Sequence, residues 1–320
     1  MQRLYDAFTR AGKELFLVGG AVRELARGIP MEKIDDLDFC TNARPEETLE
    51  ILKAEDLTIY DVGIEFGTVG CVLYDDEKPG YPKDCQVTTY RSHEYYRRGS
   101  RHPSVSYGDT LMQDLKRRDF SINSIAMDAA GEFIDPYDGL GDLERGILRV
   151  VGDPHETLAE DPLRILRVGR FMAKLGFDAD EDLRDACVQR AGNILDISHE
   201  RWLQEMTKLL KALHADKGFE FLDEVGIIEL ILPEVHALKD LHLSSPVHHK
   251  DMWAHTLQVL MQAEREDAQR WGAILHDIGK VPTRQIDPEQ GVSFHQHEQV
   301  GAEMFPEIAK RFRFDNHMTK

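Results

Sequence analysis

A change of hydrophobic period partway along the chain most constrains its fold. Up to about residue 130, short runs rich in Val, Thr and aromatics alternate with helical stretches. ELFLV ending at Val18, FGTVGCVLY and DCQVTTY read as strands. PEETLEILKAE reads as a helix, opened by Pro45 and favoured by Glu46 and Glu47 in its first turn. After about residue 145 the strand signals fade, and DPLRILRVGRFMAKLGF and HERWLQEMTKLLKALH carry apolar residues at helical spacing. From about residue 240 histidine becomes frequent, at His242, His248, His249, His255, His276, His295 and His297. The 320 residues suffice for two or three domains. The pattern predicts an α+β head over residues 1–145, a helical neck and body over 146–238, and a helical, histidine-rich domain over 239–320.

Several classes are disfavoured by composition. No run of about 18 apolar residues is present, so no membrane span is expected. The N-terminus is amphipathic and charged, without the apolar block of a secretory signal. Cys40, Cys71, Cys85 and Cys187 are scattered with no CxxC pair, which suits a reducing cytoplasm better than a disulfide or zinc framework. The net charge of −19 disfavours broad nucleic-acid binding, because neutralising phosphates supplies much of such affinity. Any nucleic-acid contact must then use locally clustered Lys and Arg. The terminal FRFDNHMTK carries no cap or stop signal, and the natural chain is expected to continue past residue 320. The segment DDEKPGYPKD is expected to be an exposed loop.

Two features of the head carry chemistry. In LVGGAVREL an apolar strand enters Gly19-Gly20 and a helix follows; glycines there let the backbone approach phosphates, although a plain tight turn uses the same pair. Sixteen residues on, DDLDFCTNA places Asp36 and Asp38 on one face of a strand, where side chains repeat every two residues. Two adjacent carboxylates repel unless a cation intervenes, and such hard oxygen ligands suit Mg²⁺. With Asp35 alongside, the run reads equally as an acidic loop. Downstream of DCQVTTY lies a basic and aromatic stretch, Arg91, His93, Tyr95, Tyr96, Arg97, Arg98 and Arg101. It combines phosphate donors with rings for base stacking, so Arg91, Arg97, Arg98 and Arg101 are candidate RNA contacts.

Taken in order, GGAVRE, DLDFCT, KRRDFSIN, DPYDGLGDL and EDPLRILR resemble the motifs of class II CCA-adding enzymes and poly(A) polymerases. The resemblance covers most of residues 15–205. It implies a polymerase-β-like nucleotidyltransferase head with a small mixed sheet, followed by all-α domains. It also implies metal ligation by Asp36 and Asp38, triphosphate contacts from Gly19, Gly20 and Arg23, and nucleotide contacts from Arg118 and Asp119, the latter near the ribose. IDPYDGLGDLERGILR resembles the family's hinge-like motif. Asp161 and Arg164 would select the nucleotide, with Glu160, Glu200 and Arg201 supporting them.

The selection site has a physical rationale. Asp161 and Arg164, three apart, are expected to share a helix face. A carboxylate accepts and a guanidinium donates, so the pair matches the amino donor and ring-nitrogen acceptor of cytosine and adenine and mismatches uracil and guanine. A helix-surface ion pair would use the same two residues. Two departures stand out: Glu24 where the family usually has Asp, and Gln86 where it often has Glu. Since a neutral amide is a poor metal ligand, only two metal carboxylates are expected.

In the last part, VHHKDMWAHTLQVL, AILHDIGKVPT and FHQHEQVGAEM resemble the HD metal-dependent phosphohydrolases over about residues 242–305. His255, His276 and Asp277 would hold a second divalent metal, which can activate water against a phosphate ester. A downstream Asp of the usual HD site is not assignable before residue 320, and His295 or His297 are alternatives.

The expected function is template-independent addition of C, C and A to a tRNA 3′ end from CTP and ATP, with Mg²⁺, in the cytoplasm. The alternatives are addition of A only, poly(A) synthesis, and an HD-type phosphohydrolase acting on RNA ends with a degenerate transferase head. VGIEFGTVGCV favours the CCA type, because poly(A) polymerases usually carry a basic run there.

Overall fold

The structure, a computed structural model, describes residues 1–74, 83–96, 103–241, 251–287, 291–315 and 318, with backbone only at 62, 93–96 and 103–104. Described residues up to Thr157 form one compact unit, and those from Leu158 form a second.

The first unit opens with α1 (Gln2–Arg10), β1 (Leu15–Val18), α2 (Gly20–Ala26), β2 (Asp36–Thr41) and α3 (Pro45–Ala54). It continues through β3 (Thr58–Gly63), β4 (Thr68–Leu73), β5 (Lys83–Thr89), β6 (Arg91–Tyr96) and β7 (Pro103–Tyr107). It ends with α4 (Leu111–Lys116), β8 (Ala126–Met127), β9 (Phe133–Ile134) and α5 (Gly139–Arg145). Seven strands make a mixed sheet in the order β3-β4-β5-β2-β1-β8-β9, while β6 and β7 pair separately as an antiparallel hairpin. Among the described residues of the seven-stranded sheet, only β2 and β5 run parallel. A parallel pair needs a long crossover, and α3, β3 and β4 supply it.

The predicted strands at residues 14–18, 66–74 and 84–90 fall on β1, β4 and β5, and the predicted helix 45–55 on α3. Leu4 and Phe8 of α1, Val22 of α2 and Leu52 join Leu17, Leu37, Phe39, Val69, Cys71, Cys85 and Val87 in one buried core. Alternation then turns Asp36 and Asp38 to the other face of β2. Farther along that face, Cys40 packs with Val18, Tyr90, Leu115 and Ala126, which roots α4 on the sheet.

The second unit is built chiefly of helices. After α6 (Pro154–Glu160) come α7 (Leu163–Leu175), α8 (Glu181–Arg190), α9 (His199–Leu210) and α10 (Ala215–Glu224). Then follow α11 (Ile227–Ile231), α12 (Pro233–His236), α13 (Met252–Gln262), α14 (Asp267–Leu275), α15 (Lys280–Thr283) and α16 (His297–Phe312). A short hairpin pairs Gln285–Asp287 with Gly291–Ser293. Helices α7 and α10 cross closely at Gly169 and Gly218, where a Cβ on Gly218 would overlap the Gly169 carbonyl. Trp271 of α14 donates its indole N–H to Thr207 of α9 at 2.9 Å and meets Phe312 edge-on at 5.0 Å.

One local expectation is corrected. Asp161 does not share a helix face with Arg164, because α7 begins only at Leu163. Pro162 is the reason: the residue before a proline is disfavoured in the α region, so the helical run breaks at Asp161. Asp161 instead caps the new helix, accepting the Leu163 N–H at 3.2 Å.

Candidate active site

Asp36 and Asp38 are exposed on β2, and the strand after them is buried. Val18 of β1 stands opposite Asp38, and β5 places Asp84 beside Asp36 and Gln86 beside Asp38. Paired residues on neighbouring strands share a face, so Asp36, Asp38, Asp84 and Gln86 form one polar patch. Asp84 escaped the sequence reading, because the register of β5 against β2 depends on a crossover of more than forty residues.

Asp38 is the electrostatic focus. Protein packed behind it withdraws water and raises its carboxyl above the usual range; Arg118 opposes this and the like charge of Asp36 adds to it. Two crowded carboxylates on an open face form a donor set that fits a hard divalent cation. A cation would relieve the repulsion that the protein leaves in place.

Gly19 makes the close approach possible. Its backbone lies at φ 69° and ψ −133°, a region essentially restricted to glycine. A Cβ built there would sit 3.4 Å from Arg118 Nη1 and 3.6 Å from Asp38 Oδ2. The turn, the carboxylate and the arginine therefore converge on one point.

Arg118 is held by a residue that the sequence reading missed. It donates through Nε and Nη2 to Oδ2 of Asp114, at 3.2 and 2.8 Å. Arg117 donates to Oδ1 of the same carboxylate at 3.3 and 3.0 Å, and the Arg91 backbone N–H donates to it at 3.1 Å. Asp114 is fully buried. Burial pushes its carboxyl up, but Arg118 and Arg117 outweigh that and bring it down to about 2.

Arg23 is buried in the first unit. It donates to Asn123 Oδ1 at 2.6 Å, and Asn123 in turn donates to Asp119 Oδ1 at 2.9 Å. Arg23 also pairs with Glu24 at 2.9 Å, and Arg27 pairs with Glu24 at 2.8 Å, so the longer Glu arm is fully used. Of the basic stretch, Arg91 turns inward, donating to the Phe66 carbonyl at 2.8 Å and the Thr68 hydroxyl at 3.2 Å. Arg97, Arg98 and Arg101 lie outside the described residues.

In the second unit, Arg201 of α9 donates to Asp161 Oδ2 at 2.7 Å. Arg164 pairs at 3.5 Å with Glu160, whose side chain is largely exposed. Glu200 is half exposed and faces Arg313 at 4.0 Å.

The same unit brings His255, His276 and Asp277 together, with ligand atoms within 4.8 Å of one another. His276 Nε2 lies 3.1 Å and His255 Nε2 3.7 Å from Asp277 Oδ2, and His297 Nε2 lies 3.8 Å from Oδ1. Nδ1 of His276 faces the Ala273 carbonyl at 2.8 Å, and Nδ1 of His297 faces that of Phe294 at 2.9 Å. With a ring proton on Nδ1 at those carbonyls, each Nε2 would be available to a metal, the arrangement of metal-ligating histidines. Lys280 also pairs with Asp277 at 2.7 Å. Burial would raise the Asp277 carboxyl, but His276 and Lys280 hold it far below the usual range. Of the two alternatives, His297 is placed at the cluster, its Nε2 3.8 Å from Asp277 Oδ1.

A mixed sheet that offers paired carboxylates beside a glycine turn defines the head as a nucleotidyltransferase fold. Comparison with known proteins makes this specific. The family model for the poly A polymerase head domain matches residues 15–149. That for the probable RNA and SrmB-binding site of polymerase A matches 176–239, and that for the HD domain matches 251–319. A CCA-adding enzyme of Streptococcus gordonii is 43% identical over 69% of this chain and 52% of its own length. A CCA-adding enzyme of Geobacillus stearothermophilus is 37% identical over 85% of this chain and 61% of its own. The crystal structure of the Bacillus stearothermophilus CCA-adding enzyme in complex with CTP superposes with a TM-score of 0.62 at 27% identity. It covers 98% of this chain and 81% of that one. The head, RNA-binding and HD domain models are thus matched in order along the chain, which is similar to CCA-adding enzymes across them. The chain spans between half and two thirds of the length of these two curated relatives. Among the described residues, no helix is long and apolar enough to cross a membrane.

Proposed function

We propose that the chain adds C, C and A to the 3′ end of tRNA from CTP and ATP without a template. The observation that carries this reading is the convergence of Asp38, Gly19 and Arg118 on one point of the head. The CCA-adding relatives support it. In this reading the terminal 3′ hydroxyl attacks the α-phosphate and pyrophosphate leaves. Mg²⁺ held by Asp36 and Asp38 would activate the hydroxyl and stabilise the leaving group. Gly19 and Gly20 let the triphosphate approach the backbone, and Arg118 meets its charge. Asp119, fixed by Asn123, faces the ribose. Arg23 acts through Asn123, at one remove from the nucleotide.

Asp161 and Arg164 select cytosine and adenine by their edges, with Arg201 setting the Asp161 carboxylate and Glu160 and Glu200 in support. The basic residues Arg97, Arg98 and Arg101 contact RNA. The head at 1–145, neck and body at 146–238, and HD domain at 239–320 divide these tasks, and the cytoplasm supplies the substrates.

The decisive assay supplies Mg²⁺, labelled CTP or ATP, and tRNA ending before CCA, after C, or after CC. Addition of C, C and A in turn is expected. Incorporation of A only after CC would make it an A-adding enzyme, and no incorporation on any acceptor would remove the transferase reading. Asp36→Ala is expected to abolish addition, and Arg164→Ala to let UTP compete with CTP.

A second activity is favoured by the three imidazoles around Asp277. They fit a divalent metal that would activate water to remove phosphate from damaged RNA 3′ ends. Release of phosphate from a 3′-phosphorylated RNA tests it.

A further inference from the structure

We infer that Asp114 is a positioning residue for the nucleotide site, aiming the Arg118 guanidinium at Gly19 and Asp38. This rests on the transferase reading of the head given above.

The geometry is specific. A guanidinium has three nitrogens in a rigid plane. Asp114 Oδ2 takes Nε and Nη2 of Arg118, one edge of that plane. The remaining nitrogen, Nη1, is the one that lies 3.4 Å from the Cβ position of Gly19. Fixing one edge therefore fixes where Nη1 points. A long, flexible side chain is converted into an oriented charge before any nucleotide arrives.

Three observations argue that this orientation is built in. Asp114 is completely buried, so its four ion-pairing hydrogen bonds are not diluted by water. Its backbone is set by α4, whose start is capped by Thr110 accepting from Gln113 at 3.3 Å and whose inner face is anchored by Leu115. Arg117 balances the other oxygen, so the carboxylate cannot rotate away from Arg118 without breaking that pair.

A further consequence follows from the Arg91 N–H, which also donates to Asp114. Arg91 is the first residue of β6, where the hairpin leaves the sheet. One carboxylate thus ties the base of the hairpin to the arginine of the site.

The test is a double-mutant cycle on Asp114→Asn, Arg118→Gln and the pair, measured as KM and kcat for CTP on tRNA lacking CCA. If Asp114 acts through Arg118, Asp114→Asn raises KM about tenfold with kcat within about threefold. The double variant is then no worse than Arg118→Gln alone, because contacting residues are non-additive. Effects that multiply, or an Asp114→Asn variant equal to wild type, would overturn the inference. Asp114→Glu, which keeps the charge but shifts the carboxylate, carries the same cycle should the Asn variant not fold. Calorimetric affinity for CTP with Mg²⁺ is measured in parallel. A wild-type chain that binds CTP and transfers none removes the transferase reading, while the cycle in affinity still decides the role of Asp114.

Discussion

Asp38 and Gln86 are direct neighbours on parallel strands, β2 and β5, and their side chains share the face that carries the site. An amide at this position leaves the metal face with one negative charge fewer than a carboxylate would. Gln86→Glu is expected to lower the Mg²⁺ concentration for half-maximal CTP addition about tenfold, since a third hard oxygen joins the set. A Mg²⁺ titration of incorporation checks this; an unchanged half-point would place Gln86 outside the metal's reach.

Gly19→Ala adds one methyl group beside Arg118 and Asp38, at a backbone conformation that favours glycine. The new Cβ meets Arg118 and Asp38, and the backbone is strained by about 1–3 kcal/mol besides. Thermal unfolding should register a modest loss of stability, whereas CTP addition should fall at least a hundredfold. Equal, proportionate losses in both would mean the glycine serves only the turn.

These two positions also mark what could be read before the structure. The DxD pair needed only the period of a strand, and its facing away from Leu37 and Phe39 followed from the same rule. Asp84 and Gln86 could not be aligned with it, because strand register across a crossover is fixed by packing. Asp114 did carry a local signal, its helical i,i+3 and i,i+4 spacing to Arg117 and Arg118, but its complete burial, which gives those pairs their weight, depends on how α4 packs on the sheet. The helix break at Asp161 was legible in Pro162 and was missed because the apolar period runs straight through it. His297 could be found only as one of two candidates, since HQHE offers two histidines and only the fold selects between them.

Arg201 is expected to govern base choice without touching a base. Its pairing with Asp161 at 2.7 Å sets the carboxylate's direction. Arg201→Ala should leave CTP addition measurable but raise misincorporation of UTP about tenfold, read by competing the two nucleotides on one acceptor. Fidelity equal to wild type would show that the helix cap on Leu163 alone orients Asp161.

Removing an imidazole tests the second cluster independently of catalysis. Co²⁺ titration followed by visible absorbance should give a metal complex in wild type. His276→Ala should abolish it, and His297→Ala should weaken it at least about tenfold. Identical titrations for wild type and His297→Ala would exclude His297 from the ligand set.

Asp114 gives a pH dependence with a definite sign. Its carboxyl sits at about 2 in the folded chain against an ordinary value of 3.8. A depressed folded pKa contributes stability that is present in full above the unfolded value and lost as pH falls through the folded one. For a fully buried group this shift corresponds to about 2 kcal/mol, disappearing between about pH 4 and pH 2. Asp114→Asn cannot titrate there. At neutral pH it should be less stable than wild type, because two buried arginine edges lose their charged partner. Denaturant unfolding at a series of pH values should show the gap between the two proteins narrowing from pH 4 downward. A gap that stays constant to pH 2 would mean that the carboxylate keeps its ordinary pKa, and that Arg117 and Arg118 do not hold it as the geometry requires.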